Sequence, residues 1–136
     1  MKLDSNGCEL DENGNKIWRN SAGQLHRTDG PAIEYADGYK WWYLNGQRHR
    51  TDGPAIEYDD GTKKWYINGQ LHRTDGPAIE CTDGHKEWYI HGQLHRTDGP
   101  AVEWADGTKW WYFKGERISK EEFYSNEFQV KIVMES

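Results

Sequence analysis

The heptapeptide His-Arg-Thr-Asp-Gly-Pro-Ala occurs four times, at 26–32, 49–55, 72–78 and 95–101, always 23 residues apart and without insertion. Other positions keep the same period. Asp-Gly recurs at 37–38, 60–61, 83–84 and 106–107, Trp at 42, 65, 88 and 111, Tyr at 43, 66, 89 and 112, and Glu at 34, 57, 80 and 103. A period of 20 to 50 residues marks a chain assembled from one supersecondary unit whose copies bury a shared core by stacking. Upstream, Glu12-Asn-Gly-Asn-Lys-Ile-Trp18 repeats the Gly61-to-Trp65 spacing, so residues 1–23 read as a degenerate N-terminal repeat. Residues 24–118 are the tandem array, and 119–136 differ in kind.

Each unit reads as strand, tight turn, strand, longer loop. Pro31-Ala-Ile-Glu-Tyr-Ala is a short strand, and Tyr39-Lys-Trp-Trp-Tyr-Leu, rich in aromatics, is its return. Asp37-Gly38 between them is expected as a two-residue type I′ turn, because both of its residues tolerate positive φ. Asn45-Gly46 turns the chain again, and Gln47–Pro54 forms a polar connection to the next hairpin. With a two-residue loop, Ile33 opposes Trp42 and Glu34 opposes Trp41. Opposed residues share a face. One face then carries Ile33–Trp42, Ile56–Trp65, Ile79–Trp88 and Val102–Trp111 and is expected to be buried. The other carries Glu34, Ala36, Tyr39, Trp41 and Tyr43. Positions 36, 39 and 41 vary between copies, reading Ala/Tyr/Trp, Asp/Thr/Lys, Thr/His/Glu and Ala/Thr/Trp. Variation inside one chain marks what packing does not dictate, so this face is exposed or reserved for a partner. A slip of one residue would exchange the two faces.

The fold class is therefore all-β, tandem 23-residue β-hairpins forming an antiparallel sheet. At the end, Ser119-Lys-Glu-Glu122 is a capping-box pattern that predicts a short helix over 120–126. Phe128, Val130, Ile132 and Met134 then alternate with polar residues and predict a last strand. Helix and strand together read as an end cap against edge addition, with pairing to a second chain, a homodimer, as the alternative.

Asn45-Gly46-Gln-Arg-His49 and Asp60-Gly61-Thr-Lys carry a resemblance to the MORN repeat, which is also 23 residues long and hairpin-forming. The resemblance spans roughly residues 12–117. Arg50-Thr51-Asp52-Gly53-Pro54 replaces the Gly-x-Gly of the usual pattern with a longer loop. The variant resembles repeats of antitoxin-type bacterial proteins and of phage and large-virus proteins. It implies an elongated, twisted, single-layer antiparallel sheet that binds proteins or lipids, and it does not imply catalysis.

Composition narrows the function classes. Net charge is −6, spread as −1 over residues 1–23, −3 over 24–118 and −2 over 119–136. That disfavours a phosphate-binding groove, which needs clustered Lys and Arg, and so nucleic acid as a partner. It also disfavours binding at an anionic membrane surface. No apolar run approaches a membrane span, and the N-terminus has no apolar signal core. Cys8 and Cys81 occupy non-equivalent positions and read as free thiols of a reducing compartment, the cytoplasm, or a host's cytoplasm if the source is viral.

His26, His49, His72 and His95 each precede Arg. A His/Arg/Asp group can serve proton transfer, but four near-identical copies lack the distinct roles an active site needs. They read as structural, with Asp in the turn and Arg and His bonding across neighbouring loops. Each His lies in a separate repeat without a second ligand type at metal spacing, so neither a metal nor another cofactor is expected. No phosphate-cradling glycine motif or nucleophile elbow occurs. The candidate partner-binding residues are Tyr39, Trp41, Tyr43, Tyr66, Tyr89, Trp110 and Tyr112, since interfaces anchor on Trp and Tyr. The expected function is a non-enzymatic repeat protein that binds a partner protein and inhibits or scaffolds it, as an antitoxin-like or phage anti-defence inhibitor would. The alternative is a sponge for a nucleotide-like small molecule held on the aromatic face.

Overall fold

The structure, a computed structural model, describes residues 2–3 and 7–135. Its contacts divide the chain into two units, Met1–Gln70 and Leu71–Ser136. Both are built from antiparallel hairpins at the 23-residue spacing. In the first, Lys2–Leu3, Glu9–Leu10, Lys16–Ile17, Ile33–Glu34, Lys40–Trp41, Ile56–Glu57 and Lys63–Lys64 follow one another across a sheet. In the second, the order is Ile79–Glu80, Lys86–Glu87, Val102–Glu103, Lys109–Phe113 and Glu116–Ile118.

The first turn of each repeat differs from the sequence reading. Gly38 N–H donates to Tyr35 O at 3.1 Å and Tyr35 N–H to Tyr39 O at 2.9 Å, which closes a three-residue loop over 36–38. Only its glycine is left-handed, at φ 106°. This geometry, a type I turn followed by a left-handed glycine, leaves the aspartate in an ordinary conformation, whereas type I′ would force it to positive φ. The Asp side chain caps the loop instead: Asp60 Oδ1 accepts from Thr62 N–H at 2.8 Å. The type I′ turn occurs eight residues later, at Asn45-Gly46 (φ 47° and 82°) and, in the second unit, at His91-Gly92 (φ 48° and 79°).

One extra loop residue shifts the register by one. Ile33 opposes Trp41 and Glu34 opposes Lys40; Trp41 also opposes Ile56. The expected Ile33–Trp42 pairing and the two-face assignment built on it are therefore wrong. One face carries the row Ile17, Ile33, Trp41, Ile56, Lys64, and the other alternates charge as Lys16, Glu34, Lys40, Glu57, Lys63. Trp42 lies at a corner. Its N–H donates to Ala55 O at 2.7 Å and its carbonyl accepts from His49 N–H at 3.1 Å. Beyond it Tyr43–Leu44 pairs with Gln47–Arg48 in a second hairpin, whose second strand lies in what reads in the sequence as a polar connection. Tyr89–Ile90 and Gln93–Leu94 do the same in the second unit.

Successive second hairpins join through the heptapeptide. Arg27 N–H donates to Tyr43 O at 3.1 Å and Gly46 N–H to Leu25 O at 2.9 Å. The histidine completes the tie: His26 Nδ1 accepts from Asn45 N–H at 3.0 Å, and His49 Nδ1 from Asn68 N–H at 3.0 Å. His72 and His95 do the same for His91 and Lys114 at 2.9 and 2.8 Å. A left-handed conformation costs an ordinary residue about 1–2 kcal/mol, and these bonds hold two such residues in it.

Little of the core is aromatic sheet. Ala32, Ile33, Ala55 and Ile56 are buried in the first unit, and Ala78, Ala101 and Val102 in the second. Of the Trp42 series only Trp111 is buried, where it joins Phe113, Phe123, Phe128 and Ile132. Phe123 belongs to α1 (Lys120–Phe123), whose first turn is capped by Ser119 Oγ accepting from Glu122 N–H at 3.0 Å. Phe128 and Ile132 belong to α2 (Asn126–Glu135). The expected last strand is thus a helix. Ser125 Oγ caps it by accepting from Phe128 N–H at 3.2 Å. Phe128 and Ile132, four residues apart, face the core while Val130, Val133 and Met134 stay exposed. No helix among the described residues is long and apolar enough to cross a membrane.

Candidate functional site

Two arginine–tryptophan arrangements alternate along the repeats. The first is the heptapeptide arginine. Arg50 Nε donates to Asp52 Oδ1 at 2.8 Å, its Nη1 donates to Pro54 O at 3.0 Å, and Glu57 lies 3.9 Å away. Its guanidinium carbon sits 3.8 Å from the Trp42 ring centroid. Gly53 packs against it, and a Cβ there would stand 2.9 Å from the same carbon and displace it. Arg27 over Trp18 and Arg96 over Trp88 repeat the arrangement at 3.8 and 3.9 Å. The adjacent guanidinium holds the Asp29, Asp52 and Asp75 carboxyls below their usual range. Arg, Asp and Glu close the bond within their own repeat, and only the histidine reaches the next. These groups are committed to structure: the guanidinium is ringed by acceptors and the His Nδ1 is occupied by a backbone N–H.

An open groove of about 630 Å³ runs between two such loops, lined by Arg27, Asp29, Trp42, His49, Arg50 and Asp52 among others. Its polar walls are these same satisfied groups.

The second arrangement lies on the Ile33–Trp41 face of the first unit. Tyr39 meets Tyr35 and Tyr58 edge-on, with ring centroids 6.0 and 5.4 Å apart. Tyr35 meets Trp41 at 5.2 Å, and Trp41 meets Tyr43 at 6.5 Å. Arg48 then bridges Trp41 and Tyr66, its guanidinium carbon 5.6 and 5.4 Å from their rings, while its Nε donates to Tyr43 Oη at 3.2 Å. The structure thus brings together Tyr39, Trp41, Tyr43 and Tyr66 of the candidate residues, all half-buried. The Asp59 charge, then burial, pushes the Tyr39 phenol up; burial does so for Tyr35.

In the second unit the same positions carry different chemistry. Tyr89 donates to Glu87 Oε1 at 2.8 Å, and the other Glu87 oxygen lies 2.6 Å from His85 Nε2. His85 stacks on Trp104 at 4.4 Å. Trp104 meets Trp110 at 5.6 Å, and Arg117 lies 4.4 Å over the Trp110 ring. Tyr112 opposes Arg117 in the register. Tyr89 therefore sits against a carboxylate and Trp110 between Trp104 and Arg117, and with Tyr112 they do not form one aromatic row.

The sequence reading missed Tyr35, Tyr58, Arg48, Trp104 and Arg117. A signal for Arg48 and Arg117 is present in the chain. Positions 41 and 48 read Trp/Arg, then Lys/Leu and Glu/Leu, then Trp/Arg in the four repeats. Residues that change together in this way are neighbours in space. Cys8 is buried and Cys81 half-buried. Among the described residues no group of three or more His, Cys, Asp or Glu side chains is placed to hold a metal ion.

No family model matches the chain, and no curated protein matches it.

Proposed function

We propose that this chain is a non-enzymatic repeat module that binds a partner protein through the aromatic face of its first unit. The observation that carries this is the gathering of Tyr35, Tyr39, Trp41, Tyr43, Tyr58 and Tyr66 around Arg48. Packing of the repeat does not require all of them: the places of Tyr39, Trp41 and Arg48 are taken by Thr62, Lys64 and Leu71 one repeat later. Half-exposed Trp, Tyr and Arg concentrated in one patch are the residues that supply most interface energy. The resemblance to MORN repeats supports the inhibitory or scaffolding use of such a module, antitoxin-like or anti-defence. The placing of two cysteines at non-equivalent positions of the repeat supports a cytoplasmic site of action.

The test is capture from bacterial lysate with the tagged full chain, beside its Trp41→Lys variant. One protein recovered in stoichiometric amount by the parent and lost with Trp41→Lys is the expected result. Equal recovery by both removes this face as the interface. A thermal-shift panel of nucleotides run in parallel addresses the small-molecule alternative, and a strong single hit with no captured protein would replace the present reading.

A further inference from the structure

Five of the seven arginines lie within 3.3 Å of a carboxylate: Arg19, Arg27, Arg50, Arg73 and Arg96. Among the described residues, Arg48 and Arg117 have no carboxylate partner, and these are the two that accompany Trp at position 41 of the repeat. Around Arg48 the imbalance goes further. Tyr43 accepts from Arg48 Nε and keeps its own O–H to give. The Tyr66 ring centroid lies 5.4 Å from the guanidinium carbon. Trp41 Nε1–H is buried with no acceptor. A guanidinium and two phenols thus meet beside the Trp41 ring, with no carboxylate paired to the guanidinium among the described residues. The nearby repeat carboxylates are unable to serve, because Glu34 and Glu57 lie on the opposite face of the sheet, near Arg27 and Arg50 at 4.0 and 3.9 Å.

A guanidinium left without a carboxylate beside phenol hydroxyls favours an acceptor-bearing ligand. The chain contains its own example of what fits. In the repeat where Glu87 replaces Trp41, the tyrosine equivalent to Tyr43 donates to that carboxylate at 2.8 Å. We infer that Trp41, Tyr43, Arg48 and Tyr66 form a recognition site for a carboxylate, supplied by an Asp or Glu side chain flanked by apolar residues on the partner protein. This rests on the protein-binding reading above and deepens it. Charge complementarity selects the occupant: the guanidinium is uncompensated, and Lys64, 5.5 Å from the Tyr58 ring, adds a second cation to the face. Arginine presents a planar fork matched to a carboxylate, and the surrounding rings exclude the water that would otherwise screen the pair. The flanking apolar residues would cover the Tyr and Trp edges.

The experiment is a titration of the full, ¹⁵N-labelled chain with acetyl-Leu-Glu-Leu-amide, read at the Trp41 indole and Arg48 Nε–H resonances. Acetyl-Leu-Gln-Leu-amide and inorganic phosphate at matched ionic strength are the comparison probes. Arg48→Leu is the variant of choice, because Leu71 and Leu94 occupy that position in other repeats and the fold accepts them. Both resonances are expected to move saturably with the Glu peptide. Affinity should fall at least tenfold for the Gln peptide and for the Trp41 signal in Arg48→Leu. No saturable shift, or equal shifts with Gln or in Arg48→Leu, would overturn the inference. Phosphate binding more tightly than the Glu peptide would also overturn it, in favour of a phosphate-bearing ligand. If the peptide fails while Trp41→Lys still abolishes capture from lysate, the carboxylate assignment falls and the protein-binding reading stands. Loss of capture as a phenomenon removes the reading itself.

Discussion

Trp41 and Trp42 are adjacent in the chain and each faces an arginine, Arg48 and Arg50, yet the two surroundings are built to different ends. Arg50 is enclosed by Trp42, Gly53, Asp52 and the Pro54 carbonyl, and the arrangement returns with Trp18 and with Trp88. Arg48 leans on Trp41 and Tyr66 and bonds phenol oxygen rather than carboxylate, and its counterpart returns only at Trp110–Arg117. One region is closed and repeated; the other is open and particular. Donors satisfied within the repeat hold the repeat together, and donors left over are available to something else.

The largest expected consequence of this contrast is in stability. Trp42→Ala removes the ring under Arg50 and should cost about 3 kcal/mol, the lower end for a large aromatic because Trp42 is only half-buried; urea unfolding measures it. Gly53→Ala should cost about 2 kcal/mol, since its Cβ would overlap the Arg50 guanidinium. In the background of Arg50→Ala the same glycine change should become nearly neutral. An unchanged cost in the double-mutant cycle would place the strain in the backbone instead.

A smaller effect is expected from pH. Burial lowers the pKa of His72 and of His95, helped by His91 and by Lys114, below the ordinary value of 6.5. The folded chain therefore resists a proton that the unfolded chain accepts, and the Nδ1 that receives a backbone N–H loses that role once protonated. The contribution is complete above pH 6.5 and declines as pH falls through the lowered folded values. The Asp carboxyls paired with arginine titrate below 3.8 and do not act in that window. Unfolding midpoints at pH 7.5 and 5.5 should differ accordingly, and a flat profile would discount the histidine ties. Smallest of all is Arg48→Leu, expected within about 0.5 kcal/mol of the parent, as for an ordinary surface change, while partner capture is lost.

The repeat, the hairpins and the tight turns were legible because Gly and Asn at turns and a 23-residue period have few structural meanings. The register was not. Asp-Gly fits both a two-residue type I′ loop and the last two places of a three-residue loop, and an aliphatic residue at 33 and Trp at 42 recur in every copy, so recurrence could not assign them to one face. Paired variation at 41 and 48 held the missing information. The terminal strand was misread for a related reason: Phe128 and Ile132 satisfy a period of two and an i, i+4 helical spacing alike. Ser125 as a cap decides for the helix. Of the candidate site, the aromatic members were visible from composition. Arg48 was not, since its signal lies in the paired change at 41 and 48 and not in aromatic content.

The same substitution at two neighbours tests the contrast most directly: urea unfolding of Trp41→Lys beside Trp42→Lys. Lys64 already occupies the first position one repeat later and rests 5.5 Å over the Tyr58 ring, the counterpart of Tyr35. Trp41→Lys should therefore unfold within about 1 kcal/mol of the parent, a surface-scale change, whereas Trp42→Lys should lose at least about 3 kcal/mol or fail to fold cooperatively. Equal losses at the two positions would contradict the division between a closed framework and an open face.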